Sequence, residues 1–264
     1  MVMARRKRTS WEIQRAVLFA LMMRELKTRF GSYRLGYLWA LLEPLSHVAV
    51  FVIIFGVIME RTMSGVSYPV FLVTGIMPWL IFSNILNRGM VAVNSNQTLF
   101  SYRQVKPMDT IVARTILEVL IQMMVFALII VIAIWLGEKI HIVDTFRILV
   151  ALGILVAFSF GVSICLCIVA TLNPEVAKVI PMVLRPLYFV SGIFWSLNTV
   201  PQEYHPYLTW NPVLQVIEEV RAGFFSGYHL APDVNMNYVG MLSVLAIGLG
   251  MALYRQEKER LVAT

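Results

Sequence analysis

The sequence predicts an all-α integral membrane protein: an N-terminal interfacial helix, six transmembrane helices, and short external re-entrant or gate helices after the fifth span. Three observations lead there. Hydrophobic residues make up 59% of the 264 positions and charged residues only 14%, with a mean hydropathy of +0.75; a soluble domain, whose surface must meet water, is far less apolar. Six apolar runs approach or exceed the roughly 20 residues a helix needs to cross about 30 Å of hydrocarbon. Lys and Arg also crowd onto alternate connections, eighteen of the 22 on one side, the bias that marks a cytoplasmic face.

The runs are 36–59, 70–86, 111–136, 146–172, 179–197 and 237–254. The second is short and holds Pro78, which predicts a tilt or an irregular start. Ahead of them, a basic cluster at 5–8 precedes the stretch 11–30, whose apolar core at 16–23 is too short to span. Leu18, Met22, Leu26 and Phe30 form an i+4 row that Arg15 and Arg29 interrupt. This reads as a helix along the membrane surface with its cations at lipid phosphates. The rival is a signal peptide, but no small-residue cleavage site follows, and Arg24, Lys27, Arg29 and Arg34 stand where cleavage would fall. No polar linker or repeat divides the rest. The expected organisation is a basic segment and interfacial helix over 1–35 and one six-helix transmembrane domain over 36–264. Multi-pass insertion with both termini cytoplasmic follows from the charge bias.

Two loops differ from simple connections. Residues 87–110 form a long polar insert on the cytoplasmic side, where Pro107 and Asp109 are placed to start the third span. Residues 197–235 form the largest external segment. Within it Val213, Val216, Ile217, Val220 and Phe224 share one helical face, so a short helix dips into the outer leaflet, packed on protein or wetted.

Catalytic signatures are missing. There is no phosphate-binding Gly-rich Lys-Ser/Thr loop, zinc-helix motif or nucleophile elbow. The histidines, His47, His141, His205 and His229, lie on separate segments. Cys165 and Cys167 point in different directions on a helix and read as packing residues rather than redox or metal groups. The chain is therefore expected to be a non-enzyme with no metal and no cofactor of its own. Glu43 and His47, one turn apart with Pro44 between, admit two readings: a proton relay, or a polar pair beside a proline kink near the membrane boundary. The second is favoured, and Arg88, Glu118 and Arg185 read as interfacial anchors near span ends. Aromatic residues cluster at Tyr33, Tyr37 and Trp39, along the fifth span at Tyr188, Phe189, Phe194 and Trp195, and beyond it at Tyr204, Tyr207 and Trp210. Interfacial belts account for most of them, and flat rings also suit the C–H faces of sugars.

The string Arg29-Phe-Gly-Ser-Tyr-Arg-Leu-Gly-Tyr-Leu-Trp-Ala-Leu-Leu-Glu-Pro44 resembles the start of ABC-2-type exporter membrane subunits. Tyr102-Arg-Gln-Val-Lys-Pro-Met-Asp-Thr-Ile-Val-Ala-Arg114 resembles the cytoplasmic loop of their capsular polysaccharide export (KpsM-type) branch, and Pro186-Leu-Tyr-Phe189 and Trp210-Asn-Pro212 continue the likeness in order. That resemblance covers essentially the whole chain. It implies a homodimeric permease in the bacterial inner membrane, driven by two ATP-binding cassette subunits that hold ATP and Mg. The implied cargo is a lipid-linked acidic polysaccharide moving from cytoplasm to periplasm, with a periplasmic co-polymerase and an outer-membrane export protein completing the route. Alternatives are O-antigen or teichoic-acid export, a secondary transporter, or a membrane scaffold; midplane acids that a secondary transporter needs are not evident.

Residue roles are then expected as follows. Arg24, Lys27, Arg29 and Arg34 form a basic entrance for a polyanion. Tyr33, Tyr37 and Trp39, and deeper Tyr188 and Trp195, offer faces on which sugar rings slide; Tyr37 and Trp39 diverge by about 200° on a helix, so at most one lines a path. Phe100, Tyr102, Arg103, Val105, Lys106 and Asp109, on a short surface helix, dock the ATPase.

Overall fold

The computed structural model describes residues 9–31, 34–58, 67–102, 104–138, 140 and 142–263, the side chains of 56–58 and 262–263 excepted. Every regular element among them is helical. Helix α1 (Ser10–Phe30) opens on a reciprocal cap, with the Glu12 N–H donating to Thr9 Oγ1 and the Thr9 N–H to the Glu12 carboxylate. A 3-10 turn, Gly36–Leu38, leads into α2 (Trp39–Val52), which continues as a π-helical stretch over Ile53–Ile58. Next come α3 (Tyr68–Met90), α4 (Pro107–Trp135), α5 (Thr145–Leu172), α6 (Val176–Val190), the single turn α7 (His205–Leu208), α8 (Pro212–Phe224) and α9 (Met236–Ala263).

Among the described residues, five helices are long and apolar enough to cross a bilayer: Gly36–Phe55, Tyr68–Met90, Pro107–Trp135, Thr145–Leu172 and Met236–Leu261. The expected span at 179–197 is where structure and sequence differ. Its helix, α6, has 15 residues, about 22 Å at 1.5 Å per residue, and holds Pro181 and Pro186. It stops at Ser191, and Gly192 turns the chain with φ of +72°, a value strained for any residue with a Cβ. Residues 191–196 carry on without a helix, mostly buried against α3 and α8. The second span, by contrast, is longer than its apolar run suggested, and Pro78 lies within unbroken helix.

Helix α3 is the axis. Of its 23 residues, Phe71, Leu72, Thr74, Ile76 and Met77 have no exposed surface, because α2, α4, α5, α6 and α8 all pack on it. The chain has two distinguishable ends. At one, Leu261 of α9 is buried among Ala92, Val93, Ile111 and Ile168, and α1 lies against the start of α4. At the other, the Gly223 carbonyl at the end of α8 accepts the N–H groups of Val143 and Asp144, where α5 begins. The apolar face foreseen for α8 is real: Val213, Val216, Ile217, Val220 and Phe224 are all buried.

Candidate functional site

At the end that carries α1, charged side chains from four helices converge. Gln14 donates to Asp109 at 2.6 Å, Arg114 meets Glu25 at 3.0 Å, and Arg29 reaches Glu118 at 2.5 Å and Glu43 at 3.6 Å. Arg24 hydrogen-bonds Asn96. Partners rise together along α1 and α4, so the two helices cross obliquely with α1 climbing from the first turn of α4 to its fourth. The Arg29 and Glu118 side chains are 13% and 3% exposed, so both have lost most of their water and depend on each other. Beside them a cleft of about 700 Å³ is lined by Glu25, Thr28, Arg29, Phe30, Trp39, Glu43, Ser46 and Arg88.

One turn deeper on α2 the lining changes from charged to aromatic. A second cleft, about 500 Å³, lies between α2, α3 and α6, with His47, Phe51, Trp79, Ser83, Asn87, Arg185 and Tyr188 among its walls. Tyr188 is the hub. Its ring stands 5.9 Å from His47, 5.8 Å from Phe51, 5.5 Å from Trp79, 5.4 Å from Phe189 and 5.5 Å from Phe194, and its hydroxyl lies 3.3 Å from His47 Nε2. Phe55 and Phe194, 5.1 Å apart, extend the column towards the far end. Edge-to-face and tilted contacts of this kind hold the rings in place beyond their simple burial.

The expected path residues therefore divide. Arg29 and Trp39 share the charged cleft, and Tyr188 organises the aromatic one. Tyr37 is 57% exposed and lines neither, in keeping with its divergence from Trp39. Arg29 is not an exposed attractor of anions, since both its terminal nitrogens hold carboxylates. Lys27 and Arg34 are exposed, and Arg24 is held by Asn96. Trp195 donates its indole N–H to the Phe189 carbonyl at 3.1 Å. Tyr33 and Arg103 lie outside the described residues. Glu118, read as an interfacial anchor, is instead 2% exposed and paired. Glu43 and His47 take separate partners, Arg29 and Tyr188.

The loop expected to dock an ATPase is also rearranged. Its helical piece is a 3-10 helix at Asn94–Leu99, upstream of the expected one, and 100–102 and 104–106 are turn or irregular. Tyr102 is 65% exposed, Gln104 and Lys106 are exposed, and Phe100 and Val105 are half-buried. Asp109 is buried: its carboxylate accepts the Lys106 N–H at 2.9 Å, capping α4, and the Gln14 amide.

At the far end stand two groups that the sequence reading passed over. Glu218 and Arg221 on α8 are 1% and 0% exposed and 3.3 Å apart. Arg221 follows Ile217 by one turn, inside the apolar stripe, and that position was the available signal. His205 places Nδ1 2.6 Å from an Asp233 carboxylate oxygen and Nε2 3.0 Å from the Val200 carbonyl. Both partners are acceptors, an arrangement that favours hydrogen on both ring nitrogens and so the cationic imidazole. The Asp233 hydrogen bond accordingly raises the His205 pKa above its usual 6.5.

The sequence matches the ABC-2 type transporter membrane family over residues 16–225. It is 42% identical to the polysialic acid transport protein KpsM of Escherichia coli over 97% of this chain and 99% of that protein. Identity is 30% to the capsule polysaccharide export inner-membrane protein CtrC of Neisseria meningitidis serogroup A, over 91% of each chain. It is 28% to the capsule polysaccharide export inner-membrane protein BexB of Haemophilus influenzae, over 92% of each.

Proposed function

The chain belongs to the ABC-2 type transporter membrane family, and from that premise we propose that it is the permease subunit of an ATP-driven capsular polysaccharide exporter. The observation that carries this reading is the likeness, over 91–97% of the chain, to a polysialic acid transport protein and to capsule polysaccharide export inner-membrane proteins of two further species. The cargo is a lipid-linked acidic polysaccharide, and it moves from cytoplasm to periplasm across the inner membrane. Two copies of the chain form the path. ATP and Mg bind to two separate ATP-binding cassette subunits, and a periplasmic co-polymerase and an outer-membrane export protein receive the polymer.

The eighteen-to-four distribution of Lys and Arg supports placing both termini in the cytoplasm. The α1 end then faces the cytoplasm, and Tyr102 and its neighbours meet the ATPase there. Exposed Lys27 and Arg34 draw the anionic chain in by modest, solvent-screened attraction. Trp39 and the column around Tyr188 then offer successive ring faces, and no single one grips a sugar strongly enough to stall it. Deletion of the gene tests the reading: lipid-linked acidic polymer should accumulate in the cytoplasm. Normal surface polymer in the deletion strain would refute it.

A further inference from the structure

Helix α6 ends inside the protein, and the backbone that follows needs hydrogen-bond partners where water is excluded. Two buried side chains supply them. Arg221 donates to the Ile193 carbonyl at 2.8 Å and the Trp195 carbonyl at 3.0 Å. Glu218 accepts the Leu197 N–H at 3.1 Å through Oε1 and the Tyr228 hydroxyl at 2.8 Å through Oε2. Tyr228 also lies 2.6 Å from the Ser196 hydroxyl. Residues 193, 195 and 197 are thus held at alternate positions by one acid and one base. The Arg221 guanidinium lies 3.6 Å over the Phe71 ring. Gly75 leaves the room for this: a Cβ there would stand 2.8 Å from Arg221 and 3.1 Å from the Ile193 backbone.

What this arrangement presents is Phe194. Its backbone lies between the two carbonyls that Arg221 captures, and its ring closes the far end of the aromatic column against Phe51, Phe55, Tyr188 and Phe189. An ion pair as deeply buried as Glu218–Arg221 adds little net stability compared with apolar residues of the same volume. Its distinctive property is directional, because a planar guanidinium fixes two carbonyls at once.

We propose that Glu218 and Arg221 are positioning residues for the outer mouth of the transport path, holding 193–197 so that the Phe194 ring seals the end of the aromatic column. This rests on the export reading above, in that the column is taken as the path. The pair touches no cargo; it acts through the backbone of Ile193 and Trp195.

The test uses the full chain with its ATPase partner in lipid vesicles, the native cysteines replaced by serine and F194C introduced. The readout is the rate at which a small water-soluble maleimide alkylates position 194. R221M keeps the volume and removes the donors; E218Q keeps the Leu197 acceptor and removes the charge; G75A presses on the same backbone without altering either charge. Labelling is expected to rise about tenfold in R221M, the scale of losing one buried charge-assisted network, to rise less in E218Q and G75A, and to return towards the parent in R221K. Labelling of Y207C, on exposed surface outside the membrane-spanning helices, should not change. Should R221M fail to insert, E218Q and G75A decide the matter. Unchanged labelling in every variant that inserts at parental abundance overturns the proposal. Raised labelling with normal polymer export would sustain the positioning role while rejecting this column as the path.

Discussion

Arg29 and Glu118 lie 2.5 Å apart although they stand 89 positions apart in the chain, and their ion pair joins the helix ahead of the first span to the fourth turn of α4. Arg29 also faces Glu43 on α2 at 3.6 Å. A movement of α1 relative to α4 would therefore be felt at the first span. Removing Arg29 leaves the buried Glu118 carboxylate without its ion-pair partner. R29A should destabilise the solubilised subunit by about 3–5 kcal/mol, while R29M/E118L, which removes both charges, should recover most of that. Melting in detergent measures this; a double variant as unstable as the single one would refute the pairing account.

The exposed Tyr102 and the buried Asp109 make a contrasting pair. Y102D should reduce copurification of the ATPase subunit without changing the melting temperature, since Tyr102 is 65% exposed. D109A should lower stability by about 1 kcal/mol, the usual worth of a helix cap, whether or not the ATPase is present. Equal ATPase loss from both would mean that the turn is not a distinct docking surface.

Trp39 lines the charged cleft and Tyr37 does not, which makes the two aromatics unequal. At matched membrane abundance, W39A should slow export about threefold to tenfold, the value of one aromatic contact, and Y37A should leave it near normal. The reverse order would move the path to the other face of α2.

His205, outside the membrane-spanning helices, gives a pH signature. Its folded pKa is raised by Asp233 above the unfolded value of 6.5. The stabilisation is thus fully present below pH 6.5 and is lost as pH rises through the higher folded value. The melting temperature of the parent minus that of D233N should shrink across this range. A difference that grows with rising pH would contradict a cationic His205.

Much of this architecture was legible in the residues because hydrophobic periodicity and caps are local signals. The α8 stripe from Val213 to Phe224 and the start of α4 at Pro107 and Asp109 both follow from neighbours in sequence. The stop of α6 was not legible. Apolar composition is the same whether buried backbone is helical or held by side chains, and only Gly192 hinted at the turn. The charged cleft was hidden for a related reason. Arg29 was visible as an interruption of the α1 apolar row, but its partners Glu43 and Glu118 lie on other helices, and pairing across 89 residues leaves no mark in either segment. Likewise Tyr188 was visible as an aromatic, whereas its place at the centre of a column depends on α2 and α3 meeting α6.

The central claim is most directly tested by transport itself. The chain, purified and reconstituted into vesicles with its ATP-binding cassette partner, would be given lipid-linked acidic polysaccharide on the side of its termini. Polymer should become protected inside the vesicles only when the chain, the partner and ATP with Mg are all present, and a proton gradient alone should drive none. Movement driven by the gradient without the partner, or none with every component present and ATP being hydrolysed, would contradict the account.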